Sequence, residues 1–378
     1  MKRFSFSHWI CLALPLLFVP FFLTGCSSAE DRTGKKQVCV SFYLLADLAQ
    51  MIAGDKMEIQ CVMPPGTDVH SWEPSPRKVM EISRADAFLF NGTGLETWTE
   101  KILPQLQKRK IPIFEAAHSV QLGGTHECSH GHAHDTHTEC SHGHEHDTHS
   151  ECSHGHAHDT HSECSHSHAH DTHSECSHGH AGPDPHIWLS IRNMERILTD
   201  LTRFFAELEP ENAEYFRANL EKALLQCREL DAEFQTVTQS LTSRKLVVAH
   251  RAFGYLCRDY GLEQIGLEGY SAFSDPSPAQ MVKIIEFIRT NQLPVIYAAS
   301  LESTKGADAI ARETGVKVGI LHPLGSLTQE QIDRGANYFS VMRENLEALK
   351  LLGTAADQEQ NTTPAPETAP AQDAKPEI

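Results

Sequence analysis

The sequence lacks a hydrophobic run long enough to cross a bilayer as a helix. Its longest mostly apolar stretch is Trp9 to Leu23, whereas a transmembrane helix needs about 20 apolar residues. Basic residues precede this stretch and Leu23-Thr24-Gly25-Cys26 follows it, an arrangement typical of a bacterial lipoprotein signal peptide. We therefore predict a signal peptide over 1–25, cleavage before Cys26, lipidation of the Cys26 sulfur and an extracytoplasmic, membrane-anchored protein.

The sequence also lacks an excess of basic residues. It has 32 Lys and Arg against 50 Asp and Glu, a formal net charge of -18. A nucleic-acid partner requires a basic face, so we predict no nucleic-acid binding.

One long segment has no aliphatic or aromatic side chain larger than alanine. A twelve-residue phrase recurs there from Glu127 to Ala181, and residues 126–181 hold 19 of the 25 histidines. Such a segment cannot bury enough apolar surface to offset the entropy of ordering, so we predict a disordered insertion. Its imidazoles and thiols suit zinc, nickel or copper. The alternative is a solvated spacer.

Cysteine is scarce outside the signal peptide and the repeat. Cys39, Cys61, Cys227 and Cys257 remain, in a chain predicted to reach an oxidising compartment. Four cysteines allow three pairings, and the sequence does not choose among them. Cys227 lies on an apolar helical row, which favours a buried free thiol.

Strand-like and helix-like segments alternate on both sides of one long helical pattern, which predicts an α/β fold with two parallel-sheet domains. We expect one strand over Val38–Leu45 and one uninterrupted last helix over about 329–351. The predicted organisation is a linker over 26–36, an N-terminal domain over 37–208, a linking helix over 209–241, a C-terminal domain over 242–352 and a disordered tail over 353–378.

The long pattern begins at Pro210, a favourable first-turn residue. Its apolar positions alternate steps of three and four, at Leu220, Ala223, Cys227, Leu230, Phe234, Val237 and Leu241. About 30 helical residues extend roughly 45 Å, longer than one small domain needs. We therefore predict a backbone helix that spans both domains, since a coiled-coil dimer arm would need more heptads.

Three histidines come shortly after predicted strands: His70, His250 and His322. Ligands of parallel sheets collect at the carboxyl ends of the strands, so these residues, drawn from both domains, indicate a shared interdomain cleft. His118 also follows a strand, but no ligand motif surrounds it, and we predict a structural or surface role.

Four motifs carry a resemblance to a known family: Thr67-Asp68-Val69-His70-Ser71-Trp72-Glu73-Pro74, Asn91-Gly92-Thr93-Gly94-Leu95-Glu96-Thr97-Trp98, Asp184-Pro185-His186-Ile187-Trp188-Leu189 and Ala249-His250-Arg251-Ala252-Phe253-Gly254-Tyr255-Leu256. Together they resemble the ZnuA/TroA-like zinc or manganese solute-binding proteins of ABC transporters (cluster A-I, family 9), over roughly 37–352. The resemblance implies two α/β domains, a single long linking helix and a metal site in the cleft. Zinc members of that family commonly carry a histidine-rich insertion where the repeat lies.

The resemblance places His70, His186 and His250 on the family's metal ligands. Many members have a fourth ligand, an aspartate before Pro-Leu-Gly, where this sequence has His322. The fourth contact is therefore expected to be His322, Asp68 or a water, in that order. Asp68, Asp184 and Glu302 are also candidates for orienting the imidazole N–H groups.

Three or four neutral imidazoles favour Zn²⁺, because manganese prefers oxygen ligands, although copper and nickel would also bind. The resemblance implies capture of zinc outside the cytoplasm and delivery to an ABC-transporter permease, without catalysis. Alternatives are a zinc-buffering surface protein, a manganese-binding member and a zinc hydrolase, which lacks support from a His-Glu-x-x-His motif. Because protons compete for imidazole, binding is expected to weaken as the pH falls through about 6.5.

Overall fold

The structure, a computed structural model, describes residues 34–122, 183–266 and 277–354. Four predicted features lie outside the described residues: the signal peptide, lipidation at Cys26, the disordered repeat and the disordered tail beyond residue 354. Within the described ranges, no helix combines the length and the apolar character needed to cross a membrane.

The first lobe is built on a sheet of four parallel strands in the order β2-β1-β3-β4. Helices follow the first three strands, so that each strand returns parallel to its neighbour. The elements are β1 (Lys36–Val40), α1 (Tyr43–Ala53), β2 (Met57–Cys61), α2 (Pro76–Ile82), β3 (Ala87–Phe90), α3 (Thr99–Lys108) and β4 (Ile113–Glu115).

Two helices then lead out of this lobe. Helix α4 (Ile191–Leu208) is capped by Ser190, whose hydroxyl accepts a hydrogen bond from the Asn193 N–H. A 3-10 turn at Pro210–Asn212 precedes α5 (Ala213–Ser240), whose 28 residues extend roughly 42 Å at 1.5 Å per residue.

The second lobe repeats the topology of the first. Its four parallel strands have the order β6-β5-β7-β8. The elements are β5 (Lys245–Val248), α6 (Gly254–Tyr260), β6 (Glu263–Gly266), α7 (Pro278–Thr290), β7 (Val295–Ala299), α8 (Lys305–Thr314), β8 (Lys317–Leu321), α9 (Gln329–Asp333) and α10 (Tyr338–Leu349). The prediction of two parallel-sheet α/β lobes with one long helix is confirmed.

Helix α5 packs against α1 and α4 of the first lobe and against α6 and α10 of the second. Its buried positions Ala223, Cys227, Leu230 and Phe234 follow the predicted spacing. Leu220 and Val237 of the predicted row are only partly buried, and Thr238 is buried beside Val237. Cys227 lies in this row as a free thiol, and Cys39, Cys61 and Cys257 are free as well. Burial raises the pKa of the Cys227 thiol to about 12, which makes it a poor nucleophile.

One apolar core continues from the first lobe into the second. The rings of Phe42 and Trp188 lie 5.3 Å apart, and the Trp188 Nε1–H donates to the Pro323 carbonyl at 2.8 Å. The Tyr338 N–H donates to Asp47 at 2.8 Å. Because interiors are close-packed, this shared core holds residues of the two lobes in a fixed relation.

Two sequence predictions of individual elements are wrong. The strand expected over Val38–Leu45 ends at Val40, because α1 is apolar on most of its faces and a short apolar run does not distinguish strand from helix. The expected last helix is divided into α9 and α10, since Gly335 adopts φ 80° and the Asn337 side chain caps α10.

Candidate metal centre

The candidate site lies where loops from both lobes meet. His250 follows β5, and His322 directly follows β8. The strand order of the second sheet reverses between the neighbouring strands β5 and β7. In open parallel sheets, a crevice forms at this point, at the carboxyl ends of the strands, and ligands bind there. His70, from the loop between β2 and α2, and His186, just before α4, line the same cavity.

Three imidazoles converge in this cavity. One nitrogen from each of His70, His186 and His250 lies within 4.8 Å of the others. The Nε2 atoms of His70 and His186 are 3.3 Å apart, and the ring centroids of the three residues are 5.1 to 5.4 Å apart. Two of the rings are almost fully buried, with His186 1% and His250 2% exposed. This spacing can hold one cation.

Carboxylates orient two of these rings. Asp184 Oδ1 accepts from the Nδ1–H of His186 at 2.9 Å and from its backbone N–H at 3.0 Å. Glu302 Oε1 accepts from the Nδ1–H of His250 at 2.6 Å. A proton on Nδ1 leaves a lone pair on Nε2, the atom that faces the cavity. Among the described residues, Nε2 of His250 has no hydrogen-bond partner.

Burial favours the neutral form of His70 and His186. Desolvation, helped by the neighbouring His186 and His250, lowers the pKa of His70 to about 2. Desolvation also lowers the pKa of His186. Neutral imidazole is the form that binds metals. We therefore expect protons to compete with zinc at His70 only at a lower pH than for an imidazole of ordinary pKa.

A buried polar network that the sequence did not reveal supports the His186 loop. The Asn91 amide donates to the Pro185 carbonyl at 3.0 Å. Glu96 accepts from the Ser41 hydroxyl at 2.7 Å and from the Asn91 N–H at 2.8 Å, and burial raises the Glu96 pKa to about 7. Asn91 is separated from Pro185 by the whole repeat, so sequence spacing contained no signal for this contact.

The remaining candidates have different surroundings. Asp68 lines the cavity, but its carboxylate is engaged in a local turn. It accepts hydrogen bonds from the Ser71 N–H at 3.0 Å and from the Ser71 hydroxyl at 2.7 Å. His322 lines the cavity and is 5% exposed, outside the convergent group of three imidazoles. His118 has a side chain that is 81% exposed and lies 3.5 Å from Glu115, the surface position predicted for it.

The sequence of this chain matches a known protein family. The model of the ZnuA family, described as zinc-uptake complex component A, periplasmic, matches residues 38–351. The chain belongs to this family.

Two ZnuA-family relatives illustrate the similarity. The zinc-binding lipoprotein AdcA of Streptococcus pneumoniae (strain ATCC BAA-255 / R6) is 31% identical over 361 residues, covering 94% of this chain and 62% of AdcA. The high-affinity zinc uptake system protein ZnuA of Bacillus subtilis (strain 168) is 30% identical over 323 residues, covering 85% of this chain and 89% of that protein. The chain thus spans about three fifths of the length of AdcA.

Solved structures of ZnuA-family proteins have the same fold. Zn(II)-bound AdcA from Streptococcus pneumoniae superposes with a TM-score of 0.65 at 27% identity, covering 84% of this chain and 58% of AdcA. The Zn(II)-bound ZnuA-like domain of that protein gives a TM-score of 0.64 at 26% identity, covering 84% of this chain and 99% of the domain.

Proposed function

We propose that this protein binds zinc tightly in the cleft between its lobes and delivers it to an ABC-transporter permease. The observation that carries the proposal is the convergence of His70, His186 and His250, whose nitrogens lie within 4.8 Å of one another in a buried cavity. Zinc is the cargo of such a protein, and no chemical step is required of it.

The donor set favours zinc over manganese. Three neutral imidazole nitrogens suit tetrahedral Zn²⁺, whereas Mn²⁺ prefers carboxylate, carbonyl and water oxygens. The carboxylates of Asp184 and Glu302 are hydrogen-bonded to imidazole Nδ1 atoms. Copper and nickel also bind imidazole strongly, so the choice of zinc would depend on geometry and supply.

The names of the relatives support this assignment. AdcA is called a zinc-binding lipoprotein, and the Bacillus subtilis protein a component of a high-affinity zinc uptake system. We infer for this chain an extracytoplasmic location, a signal peptide over 1–25 and a lipid anchor on Cys26. The repeat over 126–181 would bind further zinc ions more weakly. The domain boundaries at 37–208, 209–241 and 242–352 are part of the same proposal.

Single alanine substitutions test the site. His70→Ala, His186→Ala and His250→Ala should each weaken the tightest zinc site by more than about a hundredfold, because loss of an outer hydrogen-bond partner alone costs 10- to 100-fold in related metal sites. His118→Ala is the matched control and should bind as the wild type does, because its ring is exposed. The measurement is zinc binding by the full chain, at less than one equivalent of zinc, in competition with a chelator of known affinity. Equal losses for His118→Ala and the other three variants would contradict the proposal.

A further inference from the structure

His322 differs from His186 and His250 in which of its ring nitrogens carries the proton. The backbone N–H of Leu324 donates to His322 Nδ1 at 3.0 Å. A nitrogen that accepts a hydrogen bond carries a lone pair and no proton. The single proton of the neutral ring therefore lies on Nε2. In His186 and His250 the assignment is the reverse, because carboxylates accept from their Nδ1–H groups.

The backbone around His322 fixes this arrangement. The His322 N–H donates to Asn345 Oδ1 at 2.6 Å, and the Asn345 amide donates to the His322 carbonyl at 2.9 Å. Leu324 is fully buried and adopts φ 62°. Turning the His322 ring over would place a carbon against the Leu324 N–H, leaving that buried donor unpaired at a cost of about 1 to 3 kcal/mol.

The Nε2–H group of His322 has no acceptor in the described part of the chain. It is buried and has no hydrogen-bond partner among the described residues, and His322 lines the same cavity as His70, His186 and His250. An N–H donor cannot ligate a cation, because its lone pair is used in the bond to hydrogen. It can donate to an oxygen.

We propose that His322 is a hydrogen-bond donor to the oxygen, a water molecule or hydroxide, that completes the coordination of the zinc held by His70, His186 and His250. This inference rests on the proposed function and replaces the expectation that His322 is the fourth ligand. A carboxylate at position 322 would lower the net charge of the loaded site. The Nε2–H of His322 leaves that charge unchanged. It favours a fourth zinc ligand whose oxygen has a free lone pair to accept the hydrogen bond.

The direct test is the tautomer of His322 in the zinc-loaded protein. Full-length protein labelled with ¹⁵N-histidine is examined by long-range ¹H–¹⁵N correlation with and without one equivalent of zinc, and the His322 signals are assigned by their loss in His322→Gln. We expect a protonated Nε2 and an unprotonated Nδ1 in both states. A zinc-shifted, unprotonated Nε2 would overturn the inference.

Zinc affinity gives a second readout. His322→Ala should weaken zinc binding about two- to tenfold, the worth of one neutral hydrogen bond. His322→Gln should recover most of that loss, because its amide keeps an N–H near the position of Nε2. Equal, more than hundredfold losses in both variants would overturn the inference. If a variant does not fold, the crystal structure of the zinc-loaded wild type decides between an intervening oxygen and a direct Zn–N bond of about 2.0 to 2.1 Å.

Failure of this inference is distinguishable from failure of the proposed function. If the Nε2 signals of His70, His186 and His250 do not change when zinc is added, the cleft is not the zinc site. If they shift and His322 Nε2 shifts with them, the proposed function stands and His322 is a ligand.

Discussion

Removal of the Glu302 carboxylate should weaken zinc binding without unfolding the protein. Glu302 Oε1 lies 2.6 Å from Nδ1 of His250, whose ring is 2% exposed. The carboxylate holds the Nδ1–H tautomer and makes Nε2 a better donor to a metal. Loss of such a partner costs 10- to 100-fold in affinity, about 1.4 to 2.8 kcal/mol. The Glu302 side chain is 22% exposed and partly screened by solvent. We therefore expect the loss of zinc affinity in Glu302→Ala to lie near the lower end of that range. The zinc affinity of Glu302→Gln should lie between those of Glu302→Ala and the wild type.

Chelator competition at less than one equivalent of zinc measures this effect in the full chain. The matched control is Glu313→Ala, which removes a glutamate in an exposed ion pair with Arg289, 2.8 Å long, on the surface of the second lobe. That variant should bind zinc as the wild type does, since exposed pairs contribute about 0 to 1 kcal/mol to stability and this one does not line the cavity. Wild-type affinity in Glu302→Ala would refute the argument that Glu302 orients His250.

Two further predictions concern pH and packing. A site of three imidazoles with the ordinary pKa of about 6.5 would lose roughly a thousandfold in zinc affinity between pH 7.5 and 5.5. The pKa of His70 in the folded protein is lowered to about 2, which is below this pH range. Zinc therefore displaces no proton from His70 in this range, and the measured loss of affinity should be much smaller. A full thousandfold loss in chelator competition at the two pH values would contradict this. Phe234→Ala should destabilise the zinc-free protein by about 3 to 5 kcal/mol, because Phe234 is fully buried on α5 with its ring 5.1 Å from that of Tyr260. Denaturant unfolding compares this variant with Leu225→Ala on the same helix. Leu225 is 54% exposed, so its replacement should change the free energy of unfolding little. Equal effects of the two substitutions would show that α5 is not part of a core shared by both lobes.

The fold was predictable because its strands and helices alternate in simple patterns. The spacing of the apolar row that contains Cys227 and Phe234 predicts the long helix by itself. The edge strand β6 (Glu263–Gly266) was not predicted, because its short, half-polar sequence resembles a loop. The break before α10 required knowledge that Gly335 and Asn337 act together as a helix end and a helix start.

The candidate site was predictable only in part. Positions at the ends of strands indicated His70, His250 and His322, and the family resemblance added His186. The histidine tautomers could not be predicted from the sequence, because they depend on which group lies next to each ring nitrogen. Nδ1 of His250 lies next to a carboxylate, whereas Nδ1 of His322 lies next to the Leu324 N–H. The support of the His186 loop by Asn91 is a contact between residues far apart in the chain, which spacing does not encode.

The central claim is that the tight zinc site lies in the cleft and not in the histidine-rich repeat. The most direct measurement is a zinc titration, in competition with a chelator of known strength, of the intact chain and of a chain lacking residues 125–182. We predict that the deletion leaves one tight site of unchanged affinity, because its ligands are positioned by folding, and abolishes several weaker ones. Loss of the tightest site from a deleted chain that still folds would contradict the account.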